Sequence, residues 1–147
     1  GALIRCALNL GALIGTRDSR TVQAFRDCGL SLGVVFQVRD DVLGIWGEEE
    51  ATGKPVGADI RRKKNSLPMV YAMSQAKGSD KEILQNIYQR PIVEDEDVTL
   101  ALDIMDKVKT KEFAHSLGQE HRDMALESLS GIELAPRAMQ DMEDFMN

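Results

Sequence analysis

Leu30-Ser31-Leu32-Gly33-Val34-Val35-Phe36-Gln37-Val38-Arg39-Asp40-Asp41 is the stretch on which the fold turns. Wound as a helix, residues 30–38 are apolar on nearly every side, which predicts a helix enclosed by neighbours rather than lying on a surface. Asp18 or Ser19 offers an N-cap, so this helix is expected to run from there to about Trp46. Steps of three and four residues place Gln37, Asp40, Asp41 and Gly44 on roughly one face. Two adjacent carboxylates at the end of an enclosed apolar helix are costly to ionise without a counter-charge. The simplest partner is a divalent cation, and hard oxygen ligands suit Mg²⁺, which keeps waters and bridges to phosphate oxygens.

Working outward, helical spacing dominates and alternating β-branched runs are few, so the fold class is all-α. Leu3–Ile14 reads as a helix whose small residues Ala7, Gly11 and Ala12 permit close packing. Gly47–Asp59 reads as a loop, with Gly47, Gly53, Pro55 and Gly57. At about a dozen residues it is longer than most helix connections, and such loops tend to carry function. Asn65 to about Ala76 is expected to be a helix with Pro68 in its first turn, where a missing N–H costs nothing. Ser79-Asp80-Lys81-Glu82 is a capping-box pattern opening a short helix to Tyr88. Beyond Pro91, Val98, Leu102, Met105 and Val108 form one stripe, and Phe113, Leu117, Met124 and Leu129 another. Pro136 opens a last helix with Met139, Met142 and Met146 aligned, and Glu94-Asp95-Glu96-Asp97 is an acidic helix start that suits the dipole.

The bulk numbers bound the function. A chain of 147 residues, 43% hydrophobic and 29% charged, can bury the core of one domain. A net charge of −6 argues against a general nucleic-acid binder, because phosphate backbones attract basic surfaces. Cys6 and Cys28 make no disulfide framework and read as small core residues, and a reducing cytoplasm is the expected compartment. No apolar run is long enough to span a bilayer, and residues 2–14, interrupted by Arg5 and Asn9, do not read as a signal peptide. Gly1 opens without Met into what reads as the middle of a helix, so a truncated chain is the expectation. An acidic protein that handles an anion must gather its lysines locally or recruit a metal. Lys54, in the glycine-containing loop, and Lys64, at the end of Arg61-Arg62-Lys63-Lys64, flank the acidic pair and can supply point positive charge to phosphate. Arg61, Arg62 and Lys63 read as a solvated charge run, and Phe36 and Trp46 as packing residues.

Taken in order, Phe36-Gln37-Val38-Arg39-Asp40-Asp41, Thr52-Gly53-Lys54-Pro55 and Asp59-Ile60-Arg61-Arg62-Lys63-Lys64-Asn65-Ser66-Leu67-Pro68 resemble the second aspartate-rich motif of the trans-prenyl diphosphate synthases, or polyprenyl synthetases. That family includes the farnesyl and geranylgeranyl diphosphate synthases. Gly1-Ala2-Leu3-Ile4 with Gly11-Ala12-Leu13 resembles the stretch that follows the family's Lys-Thr pair. The resemblance covers the whole chain, and its specific part is residues 30–68.

The resemblance implies an all-α antiparallel helix bundle of the isoprenoid-synthase type. Residues 1–147 would then be the C-terminal part of a single prenyl synthase domain whose N-terminal half is absent. It implies a Mg²⁺-dependent transferase that condenses isopentenyl diphosphate with an allylic diphosphate through an allylic carbocation and releases diphosphate. Asp40 would ligate Mg²⁺ with support from Asp41, Lys54 and Lys64 would hold the allylic diphosphate, and the Gln37 amide would steady positive charge at the reacting carbons. A homodimer is implied for the parent enzyme. The chain by itself is expected to be inactive and, through an uncovered apolar face, self-associating. The motif's last acidic position is Gly44 here. That departure gives slight support to a rival reading, a non-catalytic helical subunit or interaction module. A terpene cyclase of the same fold is the other rival, disfavoured by Lys64.

Overall fold

The computed structural model describes residues 1–48, 50, 53 and 55–146, without the side chains of residues 143 and 146. Among the described residues there is helix and no strand, as expected. The helices are α1 (Ala2–Gly15), α2 (Ser19–Trp46), α3 (Ala58–Arg61), α4 (Leu67–Gln75), α5 (Gly78–Gln89), α6 (Asp95–Lys107), α7 (Thr110–Ser128) and α8 (Pro136–Met146). They fall into two compact units, one of Gly1–Gln37 with Leu117–Asn147 and one of Val38–Ser116.

In the first unit Asp18 caps α2, accepting from Arg20 N–H at 3.2 Å and Thr21 N–H at 3.1 Å, with the Thr21 hydroxyl at 2.7 Å. These bonds satisfy amides that a helix N-terminus leaves without partners. A Cβ added at Gly29 would lie 2.8 Å from Arg5 Cα, so glycine there allows α1 and α2 their close approach. The core is Cys28, Leu32, Ala125 and Leu129, with Ile4, Leu8, Phe25, Leu134 and Met142 packed around it. Burial pushes the Cys28 thiol up to about 11, so it is inert packing at neutral pH. Cys6 departs from the core reading and is exposed. So does part of the supposedly enclosed helix. Leu32 is buried, but Leu30 and Phe36 are 53% and 57% exposed, because no described residue covers that side of α2.

The second unit is built on Ile45, Ile60, Met69, Leu84, Ile87, Val98, Ile104 and Met105, all buried together. Each such side chain contributes about 1.5–3 kcal/mol relative to exposure. Trp46 packs against this core, with the Lys111 ammonium 5.9 Å from its ring centre, and Tyr71 stacks on Phe113 at 3.9 Å. Pro68 lies at the start of α4 as predicted. The expected capping box at Ser79–Glu82 is not the one that forms. Lys77 caps α5 without a side-chain bond, because the helix starts at Gly78 and leaves Ser79 inside it. The box forms instead at Glu94 and Asp97, whose side chains exchange bonds with each other's backbone at the start of α6. The acidic run there is thus a specific cap as well as a favourable charge. No helix among the described residues is long and apolar enough to cross a membrane.

Candidate active site

Three carboxylates of the second unit meet around one ammonium. Lys64 Nζ lies 3.2 Å from Asp40 Oδ2, 3.1 Å from Asp41 Oδ1 and 2.9 Å from Asp59 Oδ2. Asp40 and Asp41 come from the last turns of α2, Asp59 from the single turn of α3, and Lys64 from the segment between α3 and α4. Asp59 above all, then Asp41 and Asp40, hold the Lys64 ammonium well above the usual lysine range, against the lowering effect of burial. It stays fully charged at any working pH.

The three acids differ in environment. Asp41 is buried and its Oδ2 accepts the Leu67 N–H at 2.8 Å, which ties the start of α4 to α2. Asp40 has a side chain 59% exposed and is the carboxylate most open to an incoming ion. Asp59 is buried, and among the described residues its Oδ2 meets the Lys64 ammonium at 2.9 Å as an ion pair and accepts no further hydrogen bond. A buried carboxylate oxygen with spare lone pairs beside an exposed carboxylate is a donor set that fits a hard divalent cation. Among the described residues no three His, Cys or acidic side chains converge closely enough to hold an ion unaided. A cation here would therefore keep several of its waters, which is how Mg²⁺ prefers to bind.

The sequence pattern gives Asp59 no role and makes residues 47–59 a loop, whereas the structure starts a one-turn helix at Ala58. Its partner is the residue that looked like a loss. A Cβ at Gly44 would sit 2.5 Å from Asp59 Cγ, so the Asp59 carboxylate fills the space that a side chain at position 44 would need. Gly57 makes the same turn possible. Its φ is +76°, its N–H bonds the Ile45 carbonyl at 2.9 Å, and a Cβ there would overlap Val98. Helix α2 thus lacks an acid at position 44, and the cluster takes one from position 59.

This arrangement predicts a change of sign. Gly44→Ala alone should cost about 1 kcal/mol or more, since the gain in helix propensity of about 1 kcal/mol is outweighed by forcing Asp59 off Lys64. In an Asp59→Ala background the same substitution should stabilise by up to about 1 kcal/mol. Urea unfolding of the four proteins reads both numbers, and equal effects in the two backgrounds would remove Asp59 from that space.

Lys64 is also fixed through its backbone. Its N–H bonds the Asp59 carbonyl at 2.9 Å and its carbonyl accepts the Tyr88 hydroxyl at 3.0 Å. Burial first, and the Asp59 charge second, push the Tyr88 phenol far up, so it remains a donor. Lys63 is not simply solvated, as its place in a charge run suggested. With φ at +52° it turns back, and its ammonium reaches the carbonyls of Arg90 and, at 3.5 Å, Pro91. Arg61 pairs with Asp95 at 2.8 Å, on the outside. Lys54 lies outside the described residues, and Gln37 is exposed on α2 within the first unit. The structure therefore brings together Asp40, Asp41 and Lys64 of the predicted set and adds Asp59. Only a carboxylate just before the basic run hinted at it.

Comparison with known proteins bears on the family and the fold. The family model described as polyprenyl synthetase matches residues 1–105. A short chain isoprenyl diphosphate synthase of Methanothermobacter thermautotrophicus is 34% identical over 147 residues, covering 99% of this chain and 45% of the relative. Among solved structures, geranylgeranyl pyrophosphate synthetase from Pyrococcus horikoshii aligns with a TM-score of 0.88 at 30% identity, over 99% of this chain and 43% of that one. Polyprenyl synthase from Caulobacter crescentus, complexed with calcium and isoprenyl diphosphate, aligns at 0.84 with 27% identity, over 98% and 44%. The chain thus spans less than half the length of the proteins it matches. With the helical fold, the ordered motif and a family model over residues 1–105 in agreement, the chain belongs to the polyprenyl synthetase family.

Proposed function

We propose that this chain supplies one wall of a prenyltransferase site, where the diphosphate of an allylic substrate is held and leaves. The observation that carries the reading is the single ammonium of Lys64 set among Asp40, Asp41 and Asp59. Asp40, the open carboxylate, would hold Mg²⁺, with Asp41 and Asp59 orienting its waters from the buried side. When bound, the ion would neutralise charge on the departing diphosphate. Lys64, and Lys54 by its place in the motif, would meet the same phosphate oxygens as point charges. In the reaction the allylic C–O bond breaks, the isopentenyl double bond attacks the resulting cation, and a proton is lost. Gln37 would turn its amide oxygen towards the developing positive charge. Groups held ready for charge that develops at the transition state are usually the largest contribution to such a rate.

The absence of an acid at position 44 gives slight support to a non-catalytic reading; the Asp59 carboxylate, lying in the space that a side chain there would need, supports the catalytic one. Inorganic pyrophosphate with Mg²⁺, followed by calorimetry, tests the site in the chain itself. Lys64→Ala should weaken its binding about tenfold or more, the usual worth of a charged hydrogen bond. Arg62→Ala, at an exposed position outside the cluster, should change it by no more than about twofold. Equal losses at both would mean a diffuse basic patch and would end the assignment.

A further inference from the structure

Lys64 works from a long, flexible stem, so its usefulness depends on where its backbone is held. Two of the holding contacts come from one place, the C-terminal end of α5 and the residues that follow it. The Tyr88 hydroxyl donates to the Lys64 carbonyl at 3.0 Å, while the neighbouring Lys63 ammonium binds back to the Arg90 and Pro91 carbonyls. That end of α5 is itself anchored. Arg90 Nη1 donates to Asp97 Oδ1 at 2.5 Å, and Asp97, which is buried, also accepts the Glu94 N–H at 3.1 Å within the α6 capping box. The Tyr88 side chain packs against the core of the same unit. Its hydroxyl therefore connects a rigid body to the one peptide group from which the Lys64 ammonium is presented, and the other face of that residue is held by the Asp59 carbonyl at 2.9 Å.

We propose that Tyr88 is a positioning residue for Lys64, fixing through the Lys64 carbonyl the place at which the ammonium meets the Asp40–Asp41–Asp59 cluster and an anionic diphosphate. Tyr88 touches neither ion nor substrate in this scheme, and its influence runs entirely through Lys64. The part that concerns diphosphate rests on the function proposed above; the part that concerns the Lys64 ammonium does not. Misplacing a charged group by even about 1 Å is enough to lose much of its effect on a bound ligand.

The 147-residue chain labelled with ¹⁵N-lysine tests both parts. The Lys64 ammonium signal is the one that disappears in Lys64→Met. Tyr88→Phe keeps the ring and removes only the donor, and it should shift that signal or speed its exchange with water severalfold. Binding of Mg²⁺ with inorganic pyrophosphate should weaken three- to tenfold in Tyr88→Phe, and not at all when Tyr88→Phe is added to Lys64→Met. An unmoved Lys64 signal, or the same loss of affinity with and without Lys64, overturns the proposal. Should Lys64→Met bind pyrophosphate normally, the diphosphate reading fails, and the Lys64 signal alone decides the positioning role. 3-Fluorotyrosine in a Tyr71→Phe background supplies a second measurement if Tyr88→Phe does not fold. It keeps the hydroxyl but makes it a stronger donor, so the Lys64 signal must move, and a fixed signal overturns the proposal.

Discussion

Incubated with Mg²⁺, isopentenyl diphosphate and an allylic diphosphate, the 147-residue chain is expected to form no elongated product. Departure of diphosphate needs several charges placed before the bond breaks, and much of the rate comes from that placement. The described residues offer one acidic cluster, with a single ammonium already shared among three carboxylates. No three acidic, His or Cys side chains among them converge tightly enough to hold an ion unaided, so bound Mg²⁺ would stay largely hydrated and weakly held. The proteins this chain matches are more than twice as long, the chain covering 45% of one and 43% of another. Leu30 and Phe36 on α2 are also left open to water by the described residues. Product formation is read by extracting radiolabelled diphosphates. Steady turnover by the purified chain would mean that one cluster suffices and would refute the claim that the site needs a further wall.

How much of this could be read from the residues depends on what kind of force fixes each part. Helix positions were legible because apolar spacing and caps are local. Asp18 does cap α2, α2 does end at Trp46, and Pro68 does sit at the start of α4. The choice between two capping boxes was not legible. Ser79–Glu82 and Glu94–Asp97 both have suitable side chains, and the second forms because Arg90 and burial hold Asp97 in place. The exposure of Leu30 and Phe36 was legible only through the family resemblance, which implied an uncovered apolar face, because an apolar sequence states what a helix can bury and not whether anything is present to bury it. Asp40, Asp41 and Lys64 stood out as charges in an ordered motif. Asp59 and Tyr88 did not, since their roles arise from contacts across chain separations that no spacing rule covers: Gly44 with Asp59, and Lys64 with Tyr88.

The distinction between Asp40 and Asp41 gives the sharpest test of the cluster as catalytic machinery. Carried into the Methanothermobacter relative in place of its matching segment, this chain should complete a working site. Asp40→Asn in that chimera should then cut turnover about a hundredfold or more, the effect of removing one preorganised charge stabiliser. The fold should survive, because the Asp40 side chain is 59% exposed and pairs with a Lys64 that keeps two other carboxylates. Asp41→Asn should behave differently. Its carboxylate is buried and receives the Leu67 N–H, so its loss should appear first as a drop in unfolding free energy on the order of 1–3 kcal/mol. If Asp40 acts by holding Mg²⁺, raising the metal concentration should recover only a small part of the lost rate, since the amide cannot neutralise the ion. Near-normal turnover of Asp40→Asn at saturating Mg²⁺ would remove Asp40 from the metal site and leave the cluster with a structural role only.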